Sequence, residues 1–120
     1  MDPPASRFTH TLETVRGTPV LHLAGALEGE TAPLLRQLLD GQIDGGAKRL
    51  VLEVSSLRYV ASAGIAVLIA AQKRLRAAGG DLHLAKPSES VKEVLQVLNL
   101  DMLMKIHGSV EAALLEASGT

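Results

Sequence analysis

The residue of this chain best placed to do chemistry is Ser62, within the stretch LRYVASAGIAVLIAAQKR that begins at Leu57. Its hydroxyl stands between Ala61 and Ala63, directly before a run of helix formers that reaches Ala78. A serine so placed has two uses. Its oxygen can accept a backbone N–H of the first helical turn, a cap whose loss costs about 1 kcal/mol. Alternatively, an exposed hydroxyl there can take a phosphate, which adds about −1.5 to −2 charges where a helix N-terminus suits an anion. The reciprocal capping box is absent, because Ile65 stands where Glu or Gln would be.

The other reactive side chains do not assemble into a catalytic pattern. His10, His22, His83 and His107 fall in four separate strand-like segments without ligand spacing, so each reads as a strand residue and no metal is expected. There is no GxSxG, no HExxH and no phosphate-binding glycine loop with its lysine. Gly79-Gly80 follows a helix instead of opening one, and reads as its stop. Glu28 and Glu30 lie beside a helix start, where negative charge favours the N-terminal dipole. The chain has no cysteine, which excludes disulfide and thiol chemistry. The expectation is a protein that is acted upon or binds, with no cofactor and no catalysis of its own.

Composition narrows the partners. The chain has 120 residues, enough for one domain with a real core. Twelve Lys and Arg balance thirteen Asp and Glu, so nothing draws it electrostatically to nucleic acid or anionic lipid. Phe8 and Tyr59 are its only aromatic residues, too few to stack bases. The longest apolar run, Ala61 to Ala71 apart from Ser62, is too short to cross a bilayer, and the first residues lack the pattern of a signal peptide. A cytoplasmic protein, monomeric or weakly dimeric, is expected.

The elements that must position Ser62 follow from the periodicity. After a flexible lead over residues 1–6, Phe8 to Leu12 alternate, VRGTP turns, and VLHLAGAL forms the second strand of a hairpin. Thr31 caps a helix with Pro33 in its first turn and Leu34, Leu35, Leu38 and Leu39 on its apolar side, ended by Gly45-Gly46. RLVLEVSS reads as a strand buried on both faces, followed by a turn and a helix from about Ala63 to Ala78. DLHLAK is a strand. Pro87 and Ser88 open a helix with Val91, Val94, Leu95 and Leu98 facing inward. LMKIH is a short edge strand, and Ser109 caps a last helix through about Ala117. Strands and helices alternate after the hairpin, which predicts a mixed α/β sheet of four or five strands, parallel after the first, with about four helices.

At about 100° per residue, the helix after Ser62 puts Ile65, Leu68, Ile69 and Gln72 on the core side and Ala63, Val67, Ala70 and Arg74 opposite. That second stripe is small and apolar until Arg74. It is either a docking surface or the flank covered by another element of the fold.

These features together resemble the STAS domains of bacterial anti-sigma factor antagonists. The likeness rests on the element order and on the segments LAGALEGETAPLL and YVASAGIAVLIAAQKRLRAAGGDLHLAKPSESVKEVLQVLNLDMLMKI, and spans about residues 8–116. The family signature, usually Asp-Ser-Ser-Gly-Leu, falls on Ala61, Ser62, Ala63, Gly64 and Ile65. By resemblance, residues 7–117 form a single STAS domain and Ser62 is the phosphoacceptor. Glu28, Tyr59, Ala61, Ala63, Gly64, Val67, Ala70 and Arg74 would then belong to the partner-binding surface. The implied partners are an anti-sigma factor that is also a serine kinase, and a serine phosphatase. Binding the first would release a sigma factor. Three positions depart from the pattern: Ala61 replaces an Asp, Glu28 is longer than the usual Asp, and Ala63 removes a second hydroxyl. Two other STAS roles stay open: a subunit of a lipid-transport ATPase complex, and an interaction module independent of phosphorylation.

Overall fold

β1 (Thr9–Val15) and β2 (Thr18–Leu27) pair antiparallel, and Val15 faces Thr18 across the turn. Between them Arg16 and Gly17 both have positive φ, 50° and 84°, the two-residue geometry whose twist matches a hairpin. The structure, a computed structural model, describes residues 8–118; the expected lead over residues 1–6 lies outside them.

From β2 onward helices and strands alternate. α1 (Ala32–Asp44) leads to β3 (Arg49–Val60), α2 (Ser62–Ala77), β4 (Asp81–Ala85) and α3 (Glu89–Val97). A single 3-10 turn at Leu100–Met102 then precedes β5 (Lys105–His107) and α4 (Val110–Ser118). The sheet order is β1-β2-β3-β4-β5, with β2 to β5 mutually parallel. This is the mixed five-stranded architecture that the sequence predicts.

Sequential parallel strands joined by right-handed crossovers must carry their helices on one face. Accordingly, Leu35 and Leu39 of α1, Val67, Leu68 and Leu75 of α2, and Val91 and Leu95 of α3 share one apolar cluster with Leu21, Leu23, Leu50, Leu52, Leu82 and Leu84 of the sheet. α4 follows the last strand and covers the other face, where Ala113 and Leu114 pack on Val20, Val51 and Ala85. Val51, Leu52 and Glu53 in mid-β3 are all buried, as a central strand between two layers requires.

Two expectations are corrected here. The strand over RLVLEVSS runs on to Val60, because β3 bulges twice against β2. Its register advances by an extra residue between His22 and Ala24 and again between Gly25 and Ala26. The bulges change the burial period from two to three, so Val54, Leu57 and Val60 point inward while Ser55, Ser56, Arg58 and Tyr59 are exposed. A period of two therefore stops being visible at Ser55. Leu98, expected to face inward, is 51% exposed, since α3 ends one residue before it.

Candidate functional site

Glu28, Tyr59, Ala61, Ser62, Ala63 and Gly64 lie on, or just beyond, the C-terminal edge of the parallel strands, whereas Val67, Ala70 and Arg74 follow along α2. β2 and β3 leave the sheet side by side: Leu27 is the register partner of Val60, and the Ala61 N–H donates to the Leu27 carbonyl at 2.8 Å. Candidates follow at once on each strand, Glu28 after Leu27 and Ala61 then Ser62 after Val60. Tyr59, opposite Ala26, is 55% exposed beside them.

Ser62 is the first residue of α2, and Ala61, with φ −88° and ψ 170°, occupies the cap position. The expectation that Ser62 caps the helix is thereby corrected. A cap is the extended residue before the helix, whose side chain folds over the first-turn amides; the extended stretch reaches Ala61, so Ser62 is already helical. Its side chain is exposed and its hydroxyl has no hydrogen-bond partner among the described residues. The Ala61 side chain has no polar atom to offer, and its carbonyl accepts the N–H groups of Gly64 and Ile65 at 2.9 and 3.1 Å.

Gly64 is buried against β2, and a Cβ there would lie 2.6 Å from Leu27 Cγ. Only glycine lets the first turn of α2 sit this close to the end of β2, so Gly64 sets the depth of the turn that presents Ser62. Ala63 and Ala66 are exposed beside it.

The stripe opposite the core is covered in its middle, at Val67 and in part at Ala70, and exposed at Ala63 and Arg74. Val67 is 8% exposed and sits in the cluster with Leu35 and Leu39; Ala70 is half-buried. Arg74 turns back to α1, donating to Asp40 at 2.9 Å and Asp44 at 2.7 Å. The docking-surface expectation for Val67 is corrected: α1 lies along this flank, so α2 is buried on two sides, and its open surface begins with Ser62, Ala63 and Ala66 and continues through Lys73, Arg74, Arg76 and Ala77. Gln72 does face the core. Fully buried, it donates to the Leu103 carbonyl at 2.7 Å and to Asp81 at 3.1 Å, and accepts from the Leu82 N–H at 2.7 Å.

The turn carrying Glu28 is fixed by Thr31, whose hydroxyl accepts the Glu28 N–H at 2.9 Å and donates to the Ala26 carbonyl at 2.8 Å. Thr31 holds the cap position of α1, yet its side chain makes no capping bond to that helix. Glu28 itself is half-buried.

Three of the four histidines form two groups on the α4 face that spacing did not reveal, while His10 stands apart with its ring 6.2 Å from that of Phe8. His22 contacts Glu13 at 2.6 Å and Glu53 at 3.3 Å, and the Glu13 hydrogen bond leads in raising its pKa above 6.5. Burial works against ionisation of Glu53, but the Ser55 hydroxyl and amide, with His22, hold it below the usual carboxylate range. His83 and His107 stack with ring nitrogens 3.0 Å apart. Burial lowers both pKa values, helped in His83 by the charge of its neighbour. Among the described residues no group of three His, Cys, Asp or Glu could hold a metal, and no helix is long and apolar enough to cross a membrane.

Sequence reasoning missed two side chains at this edge. Ser88 Oγ donates to the Leu57 carbonyl at 2.8 Å and Ser90 Oγ to the Arg58 carbonyl at 3.1 Å. Ser88 was legible as the opening of α3, but nothing in the sequence says that its hydroxyl reaches β3.

Known proteins share the fold. The STAS domain model matches residues 10–113. A Bordetella bronchiseptica protein named as a candidate anti-sigma factor antagonist, BtrV, is 31% identical over 103 residues, covering 86% of this chain and 89% of that protein. The crystal structure of TM1081 from Thermotoga maritima, described in the same terms, superposes with a TM-score of 0.85 at 26% identity, over 90% of this chain and 93% of that one. The phosphorylated form of the Bacillus cell-fate determinant SpoIIAA has the same fold, with a TM-score of 0.70 at 23% identity over 88% of this chain and 96% of that one. With the match running from the first strand into the last helix, the chain belongs to the STAS domain family.

Proposed function

We propose that this chain is an anti-sigma factor antagonist switched by phosphorylation of Ser62. One observation carries the reading: the Ser62 hydroxyl is exposed and unbonded at the first position of α2. A kinase can therefore reach it without breaking anything in the fold. The Oγ would attack the γ-phosphorus of ATP held by an anti-sigma serine kinase, its proton passing to the kinase and ADP leaving. The new phosphate would lie at the N-terminus of a 16-residue helix whose cap residue, Ala61, presents no competing carboxylate. The charge is thus tolerated by the domain and opposed by a partner that docks there. The phosphorylated form of SpoIIAA has this fold, which supports a modification that the fold tolerates.

In this reading the unmodified protein binds the anti-sigma factor through Glu28, Tyr59, Ala61, Ala63 and the open surface of α2, and so frees a sigma factor. Gly64 contributes by shaping the turn, and Arg74 by fixing α2 on α1. Phosphorylation ends the complex and a serine phosphatase restores it. The protein is the substrate and the binding module, and the kinase supplies the chemistry.

The test uses the purified anti-sigma serine kinases of the same genome with Mg-ATP, read by intact mass and a phosphosite map. A single phosphate on Ser62 is expected. No phosphate there with any of them overturns the switch. Ser62→Asp is expected to weaken the anti-sigma complex far more than Ser62→Ala; equal affinities would indicate a module that does not read charge at this position.

A further inference from the structure

β3 loses its neighbour before it reaches the site. β4 pairs with it only from Arg49 to Glu53, so the stretch from Val54 to Val60 has β2 on one side and no strand on the other. A carbonyl left without a ladder partner at such an edge requires another donor or water. Two serine hydroxyls supply it: Ser88 takes the Leu57 carbonyl and Ser90 the Arg58 carbonyl, on the two residues around the second bulge. On the opposite side the Leu27 carbonyl holds the Ala61 amide.

The Ser88 contact comes at the expense of its own helix. Ser88 is the cap residue of α3, extended at φ −62° and ψ 162°, yet makes no capping bond. A serine in that position ordinarily satisfies its helix, as Ser109 does for α4 by accepting the Ala112 N–H at 3.0 Å. Thr31 behaves as Ser88 does, bonding the end of β2 in place of its own helix. Around the Ser62 edge, hydroxyls at helix starts are turned onto strand ends; on the α4 side the serine caps its helix.

We infer that Ser88 and Ser90 are positioning residues: they clamp the unladdered end of β3 and so fix the turn that presents Ser62 to the kinase. The inference rests on the reading of Ser62 as the phosphoacceptor. It locates the control of that reaction outside the signature, at the N-terminus of α3.

The experiment compares the full chain, the double variant Ser88→Ala/Ser90→Ala, the conservative Ser88→Thr, and Ser109→Ala. The last removes a serine bond of similar strength on the other face of the sheet. Amide exchange of Ala61 is expected to accelerate about tenfold in the double variant. It should be unchanged in Ser109→Ala and near the original rate in Ser88→Thr. With the kinase that modifies the parent protein, kcat/KM at Ser62 is expected to fall about tenfold in the double variant only. Unchanged Ala61 exchange in the double variant, or equal losses in Ser109→Ala, overturns the clamp. If no kinase modifies the parent protein, the phosphoacceptor reading fails by itself, and the exchange rates alone decide whether the clamp exists.

Discussion

The first turn of α2 and the flank that runs from Val67 to Arg74 are built from similar residues, small or apolar with one polar group, and do opposite work. Beyond the first turn the helix is held on two sides: Val67 shares a buried cluster with Leu35 and Leu39, Arg74 binds two aspartates of α1, and on the core side Gln72 satisfies groups of Asp81, Leu82 and Leu103. At the first turn, Ser62 and Ala63 are exposed and the Ser62 hydroxyl is unbonded, while Gly64 and Ile65 are buried toward the sheet. A helix held firmly along its length can leave its first turn open without moving it. A switch that changes binding while preserving the fold needs that combination.

The contrast can be broken from the tied side. Val67→Glu places a carboxylate among leucines with no partner; a loss of more than about 3 kcal/mol is expected, enough to threaten folding. A circular-dichroism melt left unchanged would show that α1 does not cover this flank. Gln72→Leu would leave the Leu82 N–H and the Leu103 carbonyl without their partner, and about 2–3 kcal/mol of stability should be lost in urea titration. An effect of a few tenths would mean that water replaces the side chain.

The first turn should respond more weakly, apart from its glycine. Gly64→Ala gains helix propensity but drives a Cβ into Leu27, for a net loss of about 1–2 kcal/mol; a stabilised variant would show that the turn can lift away from β2. Ala61→Asp restores a side chain at the true cap position and should stabilise the unmodified protein by about 1 kcal/mol. Ser62→Ala is expected to fall within about 0.5 kcal/mol of the parent. A loss near 1 kcal/mol would return Ser62 to a capping role.

Local chemistry carried far in the sequence. The β-hairpin at Arg16-Gly17, the alternation of elements after β2, the Ser109 cap, the core direction of Gln72 and the signature around Ser62 are all legible there. Each depends on residues a few positions apart, within the reach of a turn or a helical repeat. The extent of β3 was not legible, because two bulges against β2 turned a period of two into a period of three. The role of Val67 was not legible either, since 100° steps give the faces of a helix without saying how many neighbours cover them. The single-residue shift that makes Ala61 the cap depends on where β3 ends.

By itself, then, the amino-acid sequence determined the fold class, the order of its elements and the one hydroxyl standing at a helix start beyond the central strand. Only the tertiary structure decided which flank of α2 is open, which residue caps it, and that Ser88 and Ser90 reach across to β3. Those are contacts between groups roughly thirty residues apart. They depend on packing of the sheet and α1, which no spacing along the chain encodes.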